Sequence, residues 1–435
     1  MSTSPPVAID DLPYAVDDPV PPGRAWFPWV LTAIAIAALA GRVVYVLTLA
    51  ERDPTGGDPF YYHVQANLLA DGKGFSEPFT WTVHGRLIPT AVHPPLFSLV
   101  LAVSSVFGGT EWFAHKLVAC VVGTGTVVLV GLVGRRVAGA TAGVVAAVLA
   151  AGYPNLWVVD GIVMPESLFG FTIALVVLLA YRYSSKPGPL IAAAIGIAIG
   201  SAALVRGEAV FLVVLLGVPL TLWVRDTSWK ARLRRLAALV AGMALTIAPW
   251  TIRNLTSFER PVLLSVNVDE VTRNANCHDT YYGQFVGFWS YGCYGATPPG
   301  DESERGEEYR RRGRKYISSH LDRVPYVVGV RLGRIFDVYQ PSENLLFGQI
   351  EGRDRRVSRA GQIMFWAMLL PASIGVIALR RRRVPLVPLV SMIALATATA
   401  VFAYGAIRFR MPAEIAIVIL AAVGIDACPR LLRRP

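Results

Sequence analysis

Residues 27–50 have the sequence FPWVLTAIAIAALAGRVVYVLTLA, in which Arg42 is the one charged residue. A run of about 20 apolar residues is long enough to cross the hydrocarbon core of a bilayer as a helix. Over the 435 residues of the chain, 54% are hydrophobic and 16% are charged, whereas soluble domains have about 25% charged residues. The sequence therefore predicts an all-α polytopic membrane protein. It excludes a soluble enzyme, a secreted disulfide scaffold, a coiled coil and a disordered chain.

Further apolar segments follow the first, and short basic clusters such as Arg135-Arg136 and Arg380 to Arg383 separate several of them. An excess of arginine and lysine in short loops marks the cytoplasmic side of a membrane protein. We therefore attribute the net charge of +11 to membrane topology and predict no nucleic-acid partner. The ten predicted spans are approximately 27–50, 114–133, 139–155, 165–182, 189–204, 208–224, 236–252, 361–379, 384–404 and 411–428.

A cytoplasmic N-terminus leaves every basic cluster inside after ten crossings and places the longest loop outside. The predicted organisation begins with a disordered cytoplasmic tail over 1–26. An N-terminal transmembrane core covers 27–252 and contains a catalytic first outer loop, 51–113. A large extracytoplasmic loop covers 253–360, and C-terminal transmembrane helices cover 361–435.

Three segments outside the spans carry further structural predictions. Residues 93–108 are apolar, but a crossing there would move Arg135-Arg136 outside, so we expect a re-entrant or interfacial helix. In the large loop, Tyr309–His320 is predicted to be a helix that Pro325 interrupts. Cys277 and Cys293, both predicted outside, are close enough along the chain to form a disulfide. Cys120 and Cys428 are expected to pack within spans.

Asp58 lies in the stretch TGGDPFYY, just beyond the first span. Gly56 and Gly57 allow a sharp turn there, and Pro59 suits the first turn of a helix that would cover Phe60–Leu69. One interpretation is structural, with Asp58 capping this helix. The other is functional, with Asp58 acting as a general base at the membrane surface.

Two more acidic residues lie near the predicted outer ends of spans. Glu166 follows Pro165 at the start of an apolar span, where it either stabilises the helix N-terminus or takes part in catalysis. Asp160, slightly earlier in the chain, is predicted to be solvated and to border the substrate pocket.

Four arginines are candidates for binding an anion. Arg408 and Arg410 precede the last span, where they either extend to lipid headgroups or hold a phosphate through their guanidinium groups. Arg206 is close to Glu208, so a local ion pair is the alternative to phosphate binding. Arg42, inside the first span, needs a partner and is assigned to the same phosphate site.

The six histidines and four cysteines show no spacing typical of a metal site. The sequence also has no glycine-rich loop of the kind that cradles a nucleotide phosphate. The residue pattern therefore predicts no metal ligands and argues against nucleotide hydrolysis.

Six short motifs, in this order, resemble those of the GT-C glycosyltransferases, in particular the bacterial branch similar to protein O-mannosyltransferases and the lipid A aminoarabinose transferase. Each motif is weak alone, and together they extend over most of the chain beyond residue 27. The motifs are GDPFYY at 57–62, LADGKGF at 69–75, HPPLF at 93–97, PESLF at 165–169, PWTIRN at 249–254 and RFRMP at 408–412.

The resemblance implies a GT-C-like helical bundle of about ten transmembrane helices, with juxtamembrane or re-entrant helices and one large extracytoplasmic loop. It implies an enzyme of a bacterial inner membrane that transfers a sugar, with inversion, from a polyprenyl-phosphate donor to a lipid, glycan or protein acceptor on the outer side. It leaves the use of a divalent metal open. The resemblance implies Asp58 as the general base, with Arg408 and Arg410 at the donor phosphate. From the residue pattern we add Glu166 as a second catalytic group and Arg206 at the donor phosphate. The residues predicted along the substrate pocket are Tyr61, Tyr62, His93 and Asp160.

Two other classes of protein compete with this hypothesis. A transporter or lipid flippase would also need charged residues in a membrane, but its sites lie near the bilayer midplane, whereas the charges here are predicted at one face. A non-catalytic assembly partner would carry a degenerate site, and the presence of Asp58 argues against it.

Overall fold

The computed structural model describes residues 25–50, 54–222 and 228–432, with side chains as far as Cys428. Nearly all of the predicted tail, 1–26, therefore lies outside the described residues. The described part is all-helical apart from a single antiparallel bridge between Ser76 and Pro89. The predicted all-α fold class is confirmed.

Within the described ranges, six helical segments are long and apolar enough to cross a membrane. Five shorter apolar segments accompany them, and four of these coincide with the remaining predicted spans. The protein is therefore a multi-pass membrane protein. The six long segments are α1 (Trp26–Thr48), α5 (Trp112–Ala138), α7 (Glu166–Ser185), α10 (Trp229–Ser257), α16 (Arg355–Arg381) and Ile407–Cys428, which includes most of α18 (Met411–Leu432); the four shorter ones are α6 (Ala140–Gly152), α8 (Pro189–Ala203), Gly207–Leu222, which ends in α9 (Val218–Leu222), and α17 (Val387–Phe402).

The other helices lie before α5 or in the large loop. The apolar segment predicted to be re-entrant contains α4, which at 11 residues is too short to cross a bilayer. The loop itself is shorter than predicted, because α10 and α16 extend into it and leave residues 258–354 between them. These helices are α2 (Gly57–Ala70), α3 (Pro78–His84), α4 (Leu96–Val106), α11 (Asn267–Asn274), α12 (His278–Tyr281), α13 (Glu302–Ser318), α14 (Val324–Ile335) and α15 (Pro341–Ile350).

The predicted helix Tyr309–His320 has different bounds in the structure. Helix α13 begins earlier because Asp301 caps it, accepting hydrogen bonds from the backbone N–H groups of Ser303 and Glu304. Pro325 does not interrupt α13, because it lies in the first turn of the following helix, α14.

Helix α18 is the central element of the bundle, since it contacts α5, α6, α7, α16 and α17. It packs closely on α16 at Gly375 and Gly424, where a Cβ on either residue would collide with the backbone of the other helix. Arg408 and Arg410 lie in the 3₁₀ turn Ile407–Arg410 immediately before α18. The fold therefore holds these arginines at one end of its most buried helix.

The large loop is predicted to be extracytoplasmic, and Arg311 on α13 is a suitable position to test this because its side chain is 67% exposed. In a background with Cys120→Ala and Cys428→Ser, we expect Arg311→Cys to react with a membrane-impermeant maleimide added to intact cells. Labelling that occurs only after cell lysis would reverse the topology.

Candidate active site

Asp58 lies in the first turn of α2, after Gly57, whose φ of +69° favours glycine. The helix is capped by Gly56, and Asp58 is not its N-cap, so the capping interpretation is wrong. Its carboxylate instead faces the start of α18, where Arg408 Nη1 donates to Asp58 Oδ2 at 2.9 Å. The fold thus brings together two charged groups that are 350 residues apart in sequence.

His93 approaches the other oxygen of this carboxylate, with 3.5 Å between His93 Nε2 and Asp58 Oδ1. Burial alone would raise the pKa of Asp58, but His93 and Arg408 outweigh it and hold this pKa well below its usual range. Asp58 is therefore an ionised carboxylate in the free protein.

Two tyrosines orient His93. The ring of Tyr62 stacks on the imidazole with centroids 5.0 Å apart, and the ring of Tyr61 meets its edge at 4.8 Å. Tyr61 also shares a 3.3 Å hydrogen bond with Thr90, which lies shortly before His93. Three of the residues predicted for the substrate pocket therefore lie beside Asp58.

Arg408 has two further partners that the sequence motifs did not indicate. Its Nη2 donates to the hydroxyl of Tyr404 at 2.7 Å, and its Nε lies 3.4 Å from Glu351 Oε1. The guanidinium is thus shared between two carboxylates, Asp58 and Glu351. Glu351 lies near the end of the large loop, where no sequence pattern distinguishes it from the other acidic residues.

Arg206 forms the local ion pair predicted as its structural alternative, with 2.7 Å from its Nε to Glu208 Oε1. It also binds Glu166, with 2.6 Å from Arg206 Nη1 to Glu166 Oε1. The other oxygen of Glu166 is buried and has no hydrogen-bond partner among the described residues. Glu166 is therefore more than a helix-start residue, since it holds Arg206 with one oxygen and keeps the second unpaired.

Arg410 does not share a site with Arg408. In a 3₁₀ turn, with about three residues per turn, residues two apart point in different directions. Arg410 is fully buried and binds Asp337 at 2.9 Å and Glu414 at 2.6 Å. The predicted common phosphate site of the two arginines is thus corrected: Arg408 lies at the candidate site, and Arg410 lies inside the bundle.

We expect Arg410→Gln to lower the free energy of unfolding by about 3–5 kcal/mol, because it leaves Asp337 and Glu414 buried without their cation. Thermal unfolding of the purified protein in detergent measures this change. Arg311→Gln removes an exposed arginine by the same substitution and serves as the control that leaves the melting temperature unchanged. An Arg410→Gln protein with the same melting temperature as the wild type would contradict the structural role.

Asp160 and Arg42 form a separate buried pair. Arg42 Nε donates to Asp160 Oδ2 at 2.8 Å, and Ser167 donates to the other carboxylate oxygen at 2.6 Å. The prediction that Asp160 is solvated is wrong, since the residue is fully buried. The prediction that Arg42 belongs to the phosphate site is also corrected. A charge within a span requires a partner of opposite charge, and Asp160 is that partner.

A cavity that opens to solvent, with about 470 Å³ of empty space, adjoins Arg408, and a second open one with about 200 Å³ also reaches it. Arg353 lines both cavities, and its side chain is 5% exposed. Its Nε and Nη2 have no hydrogen-bond partner among the described residues, and the nearest carboxylate oxygen, on Glu351, is 3.8 Å away. The larger cavity also has apolar walls, which include Phe288, Phe347 and Ile407. It thus combines two guanidinium groups with a hydrophobic lining.

One group of potential metal ligands occurs among the described residues, formed by Cys277, Asp279 and Cys293. The expected disulfide joins Cys277 to Cys293, so neither sulfur is present as a thiolate. This group is therefore unsuited to a metal while the disulfide is intact.

Comparison with known proteins agrees with this architecture. Residues 92–252 match the family described as dolichyl-phosphate-mannose-protein mannosyltransferase, a segment that contains His93, Glu166 and Arg206. No curated protein is a significant match to the sequence.

Among solved structures, the chain is similar to the oligosaccharyltransferase of Archaeoglobus fulgidus. In the complex of that protein with zinc and sulfate, the TM-score is 0.54 at 16% identity, over 93% of this chain and 49% of the other. For its complex with a tethered acceptor peptide containing the NVT sequon, the TM-score is 0.52 at 14% identity, over 94% and 50%. ArnT from Cupriavidus metallidurans, bound to undecaprenyl phosphate, gives a TM-score of 0.46 at 18% identity, over 94% and 81%.

The chain thus spans about half the length of the oligosaccharyltransferase. Its fold is that of the GT-C membrane enzymes, and the resemblance to GT-C glycosyltransferases predicted from the motifs is confirmed. What the protein transfers, and to what, depends on the chemistry of its own site.

Proposed function

We propose that the protein is a glycosyltransferase that moves a sugar from a polyprenyl-phosphate donor to a cell-envelope acceptor. The reaction takes place at the extracytoplasmic face of a bacterial inner membrane. The observation that carries the proposal is the ion pair between Asp58 and Arg408 beside the cavity. This pair unites a base for the incoming hydroxyl with a cation for the departing phosphate.

The cavity has the chemistry that a lipid phosphate requires. Guanidinium groups bind phosphate oxygens in a fork geometry, and Arg408 and Arg353 both line the cavity. The unpartnered nitrogens of Arg353 need an acceptor, because a buried donor without one costs about 1–3 kcal/mol. The apolar walls can contact the first isoprene units of the lipid. We assign the donor phosphate to this cavity.

Binding of the donor would also activate the base. In the free protein Arg408 neutralises Asp58 and depresses its pKa, which makes the carboxylate a weak base. His93 and Arg408 together lower this pKa. When Arg408 turns to the donor phosphate, Asp58 loses the charge and the hydrogen bond of this guanidinium while it stays partly buried, so its pKa rises. The carboxylate then becomes a better proton acceptor only when the donor is present.

The transfer is a single displacement. The acceptor oxygen attacks the anomeric carbon of the donor, and its proton passes to Asp58. The bond between that carbon and the phosphate oxygen breaks, and both electrons leave with polyprenyl phosphate. Arg408 and Arg353 stabilise this leaving group, since fixed positive charge is most effective where negative charge develops. Attack opposite the leaving group inverts the anomeric configuration.

Glu166 and Arg206 are assigned to the wall of the site. Glu166 lines the smaller cavity together with Arg353 and Arg408, so its unpaired oxygen can accept a hydrogen bond from a sugar hydroxyl. Arg206, held by Glu166 and Glu208, contributes positive charge near Arg408 without direct contact to the phosphate. No step of the proposal requires a metal ion.

Purified protein in nanodiscs, supplied with polyprenyl phosphates that carry radiolabelled mannose, glucose, galactose or arabinose, tests the proposal. With envelope extract as the source of acceptor, we expect one donor to lose its label to the acceptor fraction and to yield free polyprenyl phosphate. Intact donor that only changes leaflet would show a flippase and overturn the assignment.

A further inference from the structure

Four aromatic side chains form a continuous row between the outer loop and Arg408, and we call this row the aromatic strip. The rings of Tyr294 and Tyr291 are nearly parallel with centroids 6.2 Å apart. Tyr291 meets Trp289 edge to face at 4.5 Å, and Trp289 lies 6.5 Å from Tyr404. Tyr404 accepts the hydrogen bond from Arg408 described above, so the strip ends at the candidate active site.

The surroundings of Tyr291 agree with its place in this row. Partial burial raises the pKa of Tyr291, and the carboxylate of Asp58 raises it further. The ring contacts through Trp289 and Tyr404 connect Tyr291 to the reacting groups. At the same time the residue is 67% exposed, so its ring remains open to a ligand.

The loop that carries Trp289, Tyr291 and Tyr294 is held in a fixed conformation. The disulfide between Cys277 and Cys293 closes it. Ser290 accepts a hydrogen bond from the N–H of Gly292 and donates its hydroxyl to Asp279. A rigid surface loses little conformational entropy when a ligand binds, so the strip is suited to recognition.

Polar groups border the strip, and they define the kind of ligand. Tyr294 donates to Glu270 at 2.8 Å, and Asp279 lies against Ser290. The indole N–H of Trp289 has no hydrogen-bond partner among the described residues. A hydrocarbon chain would offer no further hydrogen bond to these carboxylates and none to this N–H. A peptide strand would need a free backbone edge, and the loop satisfies part of its backbone internally through turns.

A sugar ring fits both features, because its C–H face can lie on an aromatic ring while its hydroxyls bond to carboxylates and N–H groups at the border. We propose that the aromatic strip is the acceptor-binding surface of the protein and that the acceptor is a glycan whose sugar ring stacks on Tyr291. This inference rests on the proposed transferase function and names the acceptor class for it. The row then guides the acceptor hydroxyl towards Asp58.

The test compares Tyr291→Ala with Tyr326→Ala, which removes another exposed tyrosine outside the strip. Isothermal titration with α-linked mannotriose, as the glycan probe, is expected to show affinity about tenfold weaker for Tyr291→Ala, equivalent to about 1.4 kcal/mol. Tyr291→Trp keeps a stacking surface and is expected to restore binding. The Tyr326→Ala control should bind as the wild type does.

A second readout separates this proposal from the transferase function. Cleavage of the donor in the absence of an acceptor, with water as the slow substitute, should persist in Tyr291→Ala. Unchanged mannotriose affinity in Tyr291→Ala, or Tyr291-dependent binding of a threonine-rich peptide in place of the sugar, would overturn the glycan assignment while donor cleavage persists. Failure of every protein, wild type included, to cleave any donor would instead overturn the transferase function.

Discussion

Replacing Arg408 with Gln is expected to lower kcat/KM for the polyprenyl-phosphate donor by about 10²–10³-fold, the usual cost of removing one group that stabilises developing negative charge. The substitution removes a cation that lies at the cavity and contacts Asp58 at 2.9 Å. Binding of undecaprenyl phosphate to the protein in detergent, measured by microscale thermophoresis, should weaken as well. If the variant bound the lipid as tightly as the wild type does, Arg408 would not be a ligand of the phosphate.

Arg408 also neutralises Glu351, so the Gln variant could lose activity through misfolding alone. Arg408→Lys provides the second measurement, because it keeps the charge and loses the fork geometry. We expect Arg408→Lys to unfold near the wild-type temperature and to show intermediate donor affinity. Arg311→Gln, far more exposed, is the matched control with unchanged affinity and activity.

Replacing Asp58 with Asn is expected to reduce transfer by about 10²–10⁴-fold, the range typical for loss of a general base. Donor binding should be retained or should become tighter, because Arg408 no longer has to leave a carboxylate to reach the phosphate. Single-turnover transfer and thermophoresis measure the two effects separately. Asp71→Asn, at the other end of α2 and with an exposed side chain, is the control.

The two substitutions therefore differ in their effect on donor affinity, although both strongly reduce transfer. A merely structural ion pair would behave differently, since breaking it from either side would weaken binding equally. Turnover retained in Asp58→Asn would exclude this carboxylate as the base.

The membrane-spanning helices could be predicted because length and apolar composition are local properties of the sequence. The predicted span 27–50 agrees within two residues with α1, whereas α5 continues to Ala138, beyond the predicted end at 133. Local reasoning was less successful where hydrogen bonds set the boundary, as at Asp301, whose capping box starts α13 earlier than predicted.

The candidate site was predictable only in part. Sequence motifs indicated Asp58 and Arg408 as site residues. The spacing of Arg408 and Arg410 wrongly predicted a shared phosphate site, because the 3₁₀ turn places the two guanidinium groups in different environments. Asp160 was expected in water, since its partner Arg42 lies more than 100 residues away and nothing in the sequence connects them. Glu351, Arg353 and the aromatic strip depend on how the large loop folds over the bundle.

The most direct test of the account is a structure of the protein with undecaprenyl phosphate. We expect the phosphate within hydrogen-bond distance of the Arg408 and Arg353 guanidinium groups, and the ion pair between Arg408 and Asp58 opened. A phosphate bound elsewhere, with Arg408 still on Asp58, would contradict it.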